Sequence, residues 1–222
     1  MGGLTTGARM PEAERGVFVV LEGIDGAGTT TQARLLIEAL DRPWITAIHG
    51  TCEPSSGPIG QLLRAILAGG HAPVDATTMA LLFAADRADH LAREIEPALA
   101  RGAVVVSDRY YHSSLAYQGS EEEAAWVRVL NQRARRPDLT VLLDVDPEVA
   151  ARRRTGDARP VEIYDHLETQ KRVAAAYREV ARSLAPRERI EILDGTQPVI
   201  AIAARIRALV YDTCSRRGLQ GP

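Results

Sequence analysis

A chain of 222 residues, 45% hydrophobic and 25% charged with a net charge of −2, has the makeup of a soluble globular protein with one sizeable core. Its nearly balanced charge excludes a dedicated nucleic-acid or anionic-membrane binder, which needs a basic surface to displace counterions. Cys52 and Cys214, the two cysteines, lie far apart and in no metal-ligand spacing, so neither a disulfide framework nor a zinc site is indicated.

Residues 1–16, MGGLTTGARMPEAERG, carry Gly, Thr and charge without apolar periodicity and read as a flexible extension. They contain no apolar signal-peptide core, and no later run is long enough to span a membrane, so a cytoplasmic protein is expected. Residues 17–215 read as one domain, and 216–222 as a flexible tail. The domain opens with VFVVLEG, a short apolar run closed by glycine that predicts a buried strand. Leu35, Leu36 and Leu40 then recur at helical spacing. Similar apolar runs at Trp44–Ile48, Ala103–Val106, Thr140–Val145 and Ile190–Leu193 alternate with helical patterns. Five such strands with helical crossovers predict an α/β fold, a mostly parallel five-stranded sheet with helices on both faces. Ligands of such sheets bind beyond the carboxyl ends of the strands. The informative residues are therefore those just after each run: Asp25, then Glu53, then Asp108 and Arg109.

Between the first strand and the first helix stands GIDGAGTTT, Gly23–Thr31. It follows the phosphate-loop pattern G-x-x-x-x-G-K-[ST], except that Thr29 occupies the lysine position. Backbone N–H groups of Gly23, Gly26, Ala27, Gly28, Thr29, Thr30 and Thr31, leading into a helix N-terminus, form the expected phosphate cradle. Thr30 is placed to ligate Mg²⁺. Lys171 is the only lysine of the chain, so cationic work falls almost wholly to arginine.

Further along, LLFAADRADH puts Phe83 and Arg87 on one helix face, either as core or as a stacking surface beside a hydrogen-bond fork suited to a nucleobase. After the third strand comes SDRYYHSSLAYQG, where Asp108 can hold a hydrated metal and Arg109 a phosphate. Ser120–Glu123, SEEE, fits a capping box at a helix start. Residues 152–166, with Arg152, Arg153, Arg154 and Arg159 around a Gly- and Pro-bearing loop, are written as a mobile cationic lid or as a solvated arginine face.

Taken together, LEGIDGAG-TTQ, the EP and GxxxR of EPSSGPIGQLLR, LFAADRADH, SDRYYHSSLAYQG, PDLTVLLDVDPEVAARR and LDGTQP resemble the thymidylate kinase family over about Val17–Val210. The resemblance implies a P-loop kinase with a small lid that uses ATP and Mg²⁺ to convert dTMP to dTDP, as a cytosolic homodimer without nucleic-acid or membrane partners. It implies that Phe83 stacks on thymine and Arg87 bonds its edge, that Arg64 and Arg109 hold the dTMP phosphate, and that Glu53 and Ser113 belong to the same substrate pocket. Asp25 addresses the sugar hydroxyl or a metal-bound water, Tyr117 lies against the sugar with Gln118 nearby, and Asp108 joins Thr30 at the metal. The sequence departs from the family at Thr29 and at Cys52, which stands where the family's T-R-E-P segment has arginine. Both changes remove positive charge, and an arginine of the lid, Arg153 or Arg159, is expected to restore it. Asp25, Arg109, Arg153 and Arg159 are thus the candidate catalytic residues. A catalytically impaired nucleotide-binding homologue, and a kinase for another deoxynucleoside monophosphate, are the alternative functions.

Overall fold

The computed structural model describes residues 16–40, 42–71, 74–155, 164 and 166–219. Within them five parallel strands form one sheet in the order β2-β3-β1-β4-β5: β1 (Val17–Gly23), β2 (Ile48–Cys52), β3 (Val104–Asp108), β4 (Leu139–Asp144) and β5 (Ile190–Asp194). The central strand β1 is buried at every position, as its apolar run requires. Its side chains alternate between two cores. Val17, Val19 and Leu21 pack with Leu36, Leu63, Ile206 and Val210 on one face, while Phe18 and Val20 pack with Ile95, Leu99, Tyr110 and Val127 on the other. Each fully buried aliphatic or aromatic side chain contributes about 1.5–3 kcal/mol, so the two layers together fix the sheet.

Helix α1 (Thr29–Ala39) follows β1; α2 (Pro58–Leu67) and α3 (Ala76–His90) follow β2. Proline fits the first turn of α2, where its missing N–H is no loss. Asp75 caps α3 by accepting from the Thr78 N–H at 2.6 Å. A π-helical turn, Leu91–Ile95, joins α3 to α4 (Glu96–Ala100), and α5 (Tyr111–Tyr117) and α6 (Ala124–Leu130) follow β3. Helix α7 (Pro147–Thr155) follows β4; α8 (Leu167–Leu184) precedes β5, and α9 (Val199–Arg216) follows it. Because β1 lies between β3 and β4, the chain leaves β1 toward one edge and β3 toward the other. The loops after these two strands therefore diverge, leaving a crevice at the carboxyl ends of both.

Two expectations of the sequence are corrected here. The second strand is Ile48–Cys52, not Trp44–Ile48. Ile45 closes a turn by donating its N–H to Arg42 O, and Trp44 turns edge-on to Tyr211 on α9. The ladder with β3 begins at Ile48↔Val104 and ends at Cys52↔Asp108. As an edge strand half open to solvent, IHGTC needs no continuous apolar run. Ser120 does not cap a helix: it lies in a 3-10 turn, Gln118–Ser120, that prolongs α5, and its hydroxyl donates to Tyr117 O at 2.8 Å. Helix α6 starts only at Ala124, without a side-chain cap. Beyond the end of α9, Leu219 packs against the core and its N–H donates to Cys214 O.

Candidate active site

The segment from Ile24 to Gly28 turns β1 into α1. Gly26 and Gly28 have φ of 87° and 97°, a region that side chains strain to adopt. At Gly26 a Cβ would also lie 2.5 Å from Ala150 O on α7. The first turn of α1 bears no acid, and its leading N–H groups have no intrahelical acceptors. The result is an electropositive helix end suited to phosphate. Thr29 is buried at the start of this helix with 6% of its surface exposed. Thr30 Oγ1 donates to Asp108 Oδ2 at 2.5 Å, so the first and third strands deliver two hard oxygen ligands to one point. Asp108 Oδ1 is buried and has no hydrogen-bond partner among the described residues. An orphaned carboxylate oxygen beside a hydroxyl fits a hard divalent cation that takes most of its ligands from water and phosphate. No group of three or more His, Cys, Asp and Glu among the described residues could hold a metal by protein ligands alone.

Arg109, one residue past β3, has φ of 73°, and its N–H donates to Leu21 O at 2.9 Å. This left-handed turn swings the side chain from the sheet end toward the glycine loop. There Nη1 donates to Gly23 O at 2.9 Å, Tyr177 OH at 3.2 Å and Ser113 Oγ at 3.3 Å, and Nη2 to Asp25 Oδ1 at 2.7 Å. The guanidinium also stands 5.6 Å from the centre of the Tyr117 ring. Burial lowers its affinity for the proton, but Tyr117, Asp25 and Tyr177 outweigh that and hold it charged. Asp25 is clasped in turn. Its Oδ2 accepts from Gln170 Nε2 at 2.8 Å and Tyr117 OH at 3.0 Å, and its N–H donates to Gln170 Oε1 at 3.2 Å. Burial and then the Asp25 carboxylate push the Tyr117 phenol up, so it remains a donor.

Beneath Arg109 lies Glu22, buried inside an otherwise apolar strand. It accepts from the Tyr110 N–H at 2.9 Å, Ser113 Oγ at 2.7 Å and Tyr177 OH at 2.9 Å. The hydroxyls that hold Arg109 are thus themselves held from below.

The far wall belongs to α2, α3 and the segment after β2. Arg87 and Glu53 form a buried ion pair at 2.8 Å, with Arg87 Nη2 also donating to Ser114 Oγ at 3.0 Å and Nη1 to Asn131 Oδ1. One turn earlier on α3 stands Phe83. Arg64 Nη2 on α2 lies 3.3 Å from Cys52 Sγ, so a guanidinium occupies the neighbourhood of the position where the family has arginine.

One cavity of about 830 Å³ gathers most of the residues that the sequence singled out. Asp25, Gly26, Gly28, Thr29, Thr30, Thr31, Asp108 and Arg109 border it at the sheet end, and Glu53, Arg64, Phe83, Arg87, Ser113, Tyr117 and Gln118 on the other walls. Gly23 and Ala27 do not border it and act through loop shape: Gly23 O receives Arg109, and the Ala27 N–H donates to Ile24 O. Nor does Arg153, whose Nη2 donates to Gly195 O at 2.9 Å behind the loop, with Nη1 3.5 Å from Ala27 O. Arg159 and most of residues 152–166 lie outside the described residues. Arg154, Gln170, Tyr177 and Glu22 were missed by the sequence reading. Only Glu22 had a local signal, a lone acid inside an apolar run.

A parallel sheet whose central strand feeds a glycine loop and a helix N-terminus, with an Asp-Arg pair presented from the next strand, is the architecture of the P-loop nucleotide-binding proteins. A family model described as thymidylate kinase matches residues 21–206. A probable thymidylate kinase of Pyrobaculum aerophilum is 41% identical over 197 residues, covering 87% of this chain and 95% of the relative. Thymidylate kinases of Symbiobacterium thermophilum and Leifsonia xyli subsp. xyli are 39% and 42% identical over 212 residues, covering 90% and 89% of this chain and 95% and 96% of the relatives. The chain belongs to the thymidylate kinase family.

Proposed function

We propose that this protein phosphorylates dTMP to dTDP with ATP and Mg²⁺, a step of dTTP biosynthesis. The observation that carries the reading is the junction of Thr30 with Asp108 and of Arg109 with Asp25, both on the floor of the cavity that Phe83 and Arg87 border from α3. A nucleotide-holding protein with no transfer to perform has no use for a metal-ligand pair and a buried arginine converging on one point.

In this reading the loop amides and the end of α1 hold the ATP phosphates. Phe83 stacks on thymine, and Arg87, fixed by Glu53, Ser114 and Asn131, addresses the base edge. Arg64 and Arg109 hold the dTMP phosphate, Asp25 and Tyr117 the deoxyribose side, and Ser113 and Gln118 complete the pocket. Thr30 and Asp108 hold Mg²⁺, which neutralises phosphate charge when bound. An ionised oxygen of dTMP attacks the γ-phosphorus, the bond to the β–γ bridging oxygen breaks, and ADP leaves with that electron pair. No general base is needed, because the nucleophile is already an anion. The protein's part is alignment and positive charge. The same reading carries a cytoplasmic homodimer. Among the described residues no helix is long and apolar enough to cross a membrane.

The test is dTDP formation by the purified protein with Mg·ATP, run beside dUMP, dCMP and dGMP. Turnover with dTMP well above the others is expected. Calorimetric binding of dTMP with no dTDP formed would overturn the reading. Phe83→Ala is expected to raise KM for dTMP about tenfold while kcat changes little, because stacking that is equal in the ground and transition states acts on binding alone. A fall in kcat with unchanged KM would contradict that role.

A further inference from the structure

We infer that Arg154 supplies, from the end of α7, the side-chain positive charge that Thr29 cannot supply to the phosphate loop. The inference rests on the phosphoryl-transfer reading and deepens it, replacing the sequence-based expectation that Arg153 or Arg159 takes this role.

Three observations converge. First, α7 lies directly against the loop. A Cβ at Gly26 would meet Ala150 O at 2.5 Å and Arg154 Cγ at 3.0 Å, so the hydrocarbon stem of Arg154 runs along the loop itself. The turn that sets this path is fixed by Asp146, whose Oδ1 accepts from the Glu148 and Val149 N–H groups at 2.8 and 3.3 Å. Second, the Arg154 guanidinium is anchored on the loop, with Nη1 donating to Asp25 O at 2.5 Å, and it borders the cavity together with Thr29, Thr30 and Arg109. A guanidinium has five N–H donors in a rigid fork, so it can keep one carbonyl and still present donors to a phosphate oxygen. Third, the neighbouring Arg153 is turned away behind the loop to Gly195 O.

The other arginines that border the cavity have separate tasks. Arg109 is tied to Asp25, Arg87 to Glu53, Arg34 to Glu38, and Arg64 to Cys52 and Pro54. A P-loop lysine rises from the helix start. Here the charge arrives sideways, along the loop backbone, and the short Thr29 side chain leaves the space it enters.

The experiment uses the full chain and equilibrium binding of Mg·ATPγS, ADP and adenosine by calorimetry, with dTDP turnover alongside. Arg154→Gln keeps a donor for Asp25 O and removes only charge. It is expected to weaken ATPγS and ADP about tenfold to a hundredfold, the scale of a charge-assisted hydrogen bond, and to leave adenosine unchanged. Adding Thr29→Lys to Arg154→Gln is expected to recover most of that loss, whereas Thr29→Lys alone brings little gain. Arg154→Lys is expected to fall between. Unchanged ATPγS affinity in Arg154→Gln would overturn the inference, as would an equal loss for adenosine or a double variant no tighter than Arg154→Gln. If the parent chain makes no dTDP while the affinity ratios follow this pattern, the transfer reading fails and the Arg154 assignment stands.

Discussion

Replacing Arg109 by alanine is expected to lower kcat for dTDP formation by about a hundredfold to a thousandfold, the loss typical of a preorganised charge aimed at the transition state. Arg109 meets Gly23 O, Ser113, Tyr177 and Asp25 at once, so its position is set before substrate arrives. A group that is already in place has no reorganisation to undergo during transfer. Arg109→Lys is expected to recover little, since a single ammonium cannot span both Gly23 O and Asp25 as a planar fork does. The positive φ allows a control. Alanine at φ of 73° costs about 1–2 kcal/mol of folding stability, whereas Arg109→Gly removes that strain and the guanidinium together. Steady-state kinetics and thermal unfolding of both variants separate the two effects: equal losses of kcat with a higher Tm for glycine are expected. A glycine variant retaining more than about a fifth of parental kcat would exclude Arg109 from the transition-state charge.

His112→Gln is expected to destabilise the fold by about 3–5 kcal/mol near pH 6, with the deficit shrinking toward pH 9, because breaking a buried ion pair strands its partners. His112 is buried between two carboxylates, with Nε2 3.1 Å from Glu188 Oε2 and Nδ1 3.6 Å from Glu22 Oε1. At 3.6 Å the Glu22 contact is an attraction of charges and not a hydrogen bond. Burial pulls the imidazole down, yet Glu188 and Glu22 outweigh it, leaving His112 raised above its ordinary 6.5. Burial pushes Glu22 up, and the His112 side chain together with Arg109 and Ser113 leaves it lowered below 4.5. Glu188 is lowered too, the His112 and Tyr111 side chains outweighing its burial.

The signs follow from linkage. A raised histidine stabilises fully below its unfolded value and loses that contribution as pH rises through its folded one; the lowered carboxylates stabilise above their unfolded values and lose theirs as pH falls. The cluster is therefore strongest between about 4.5 and 6.5. Urea unfolding of parent and variant at stepped pH checks this. A difference in stability that does not change with pH would show that His112 acts by packing alone. Because Glu22 also holds Ser113 and Tyr177, the variant is expected to lose some activity at the pH where it loses stability.

Much of this architecture could be read from the chain because burial on both faces leaves a plain mark. VFVVLEG had to be an inner strand, and β3, β4 and β5 fall close to their apolar runs. The edge strand IHGTC lacked that mark and was displaced toward the more apolar WITAI. The half of the site built from two loops was also legible, since Gly26, Gly28, Thr30, Asp108 and Arg109 lie in short contiguous segments with recognisable chemistry. What remained hidden comes from α7 and α8, which fold over the crevice from far along the chain. Gln170 reaches Asp25, Tyr177 reaches Arg109 and Arg154 reaches the loop, each from a helix whose local sequence is an ordinary amphipathic pattern. Their role arises only when tertiary packing brings those helix faces to the sheet end.

The substitution at position 29 also changes how the protein can be seen by chemistry. Many nucleotide-site reagents acylate a loop amine. Here the sole lysine, Lys171, sits on the outer face of α8 in a contact with Glu168, remote in sequence from the glycine turn. Acyl-phosphate labelling will therefore pass over this site even when ATP fills it, and a survey of cell extracts by such reagents will score a working member of the family as blank. Guanidinium-selective dicarbonyls are the reagents whose modification nucleotide should block.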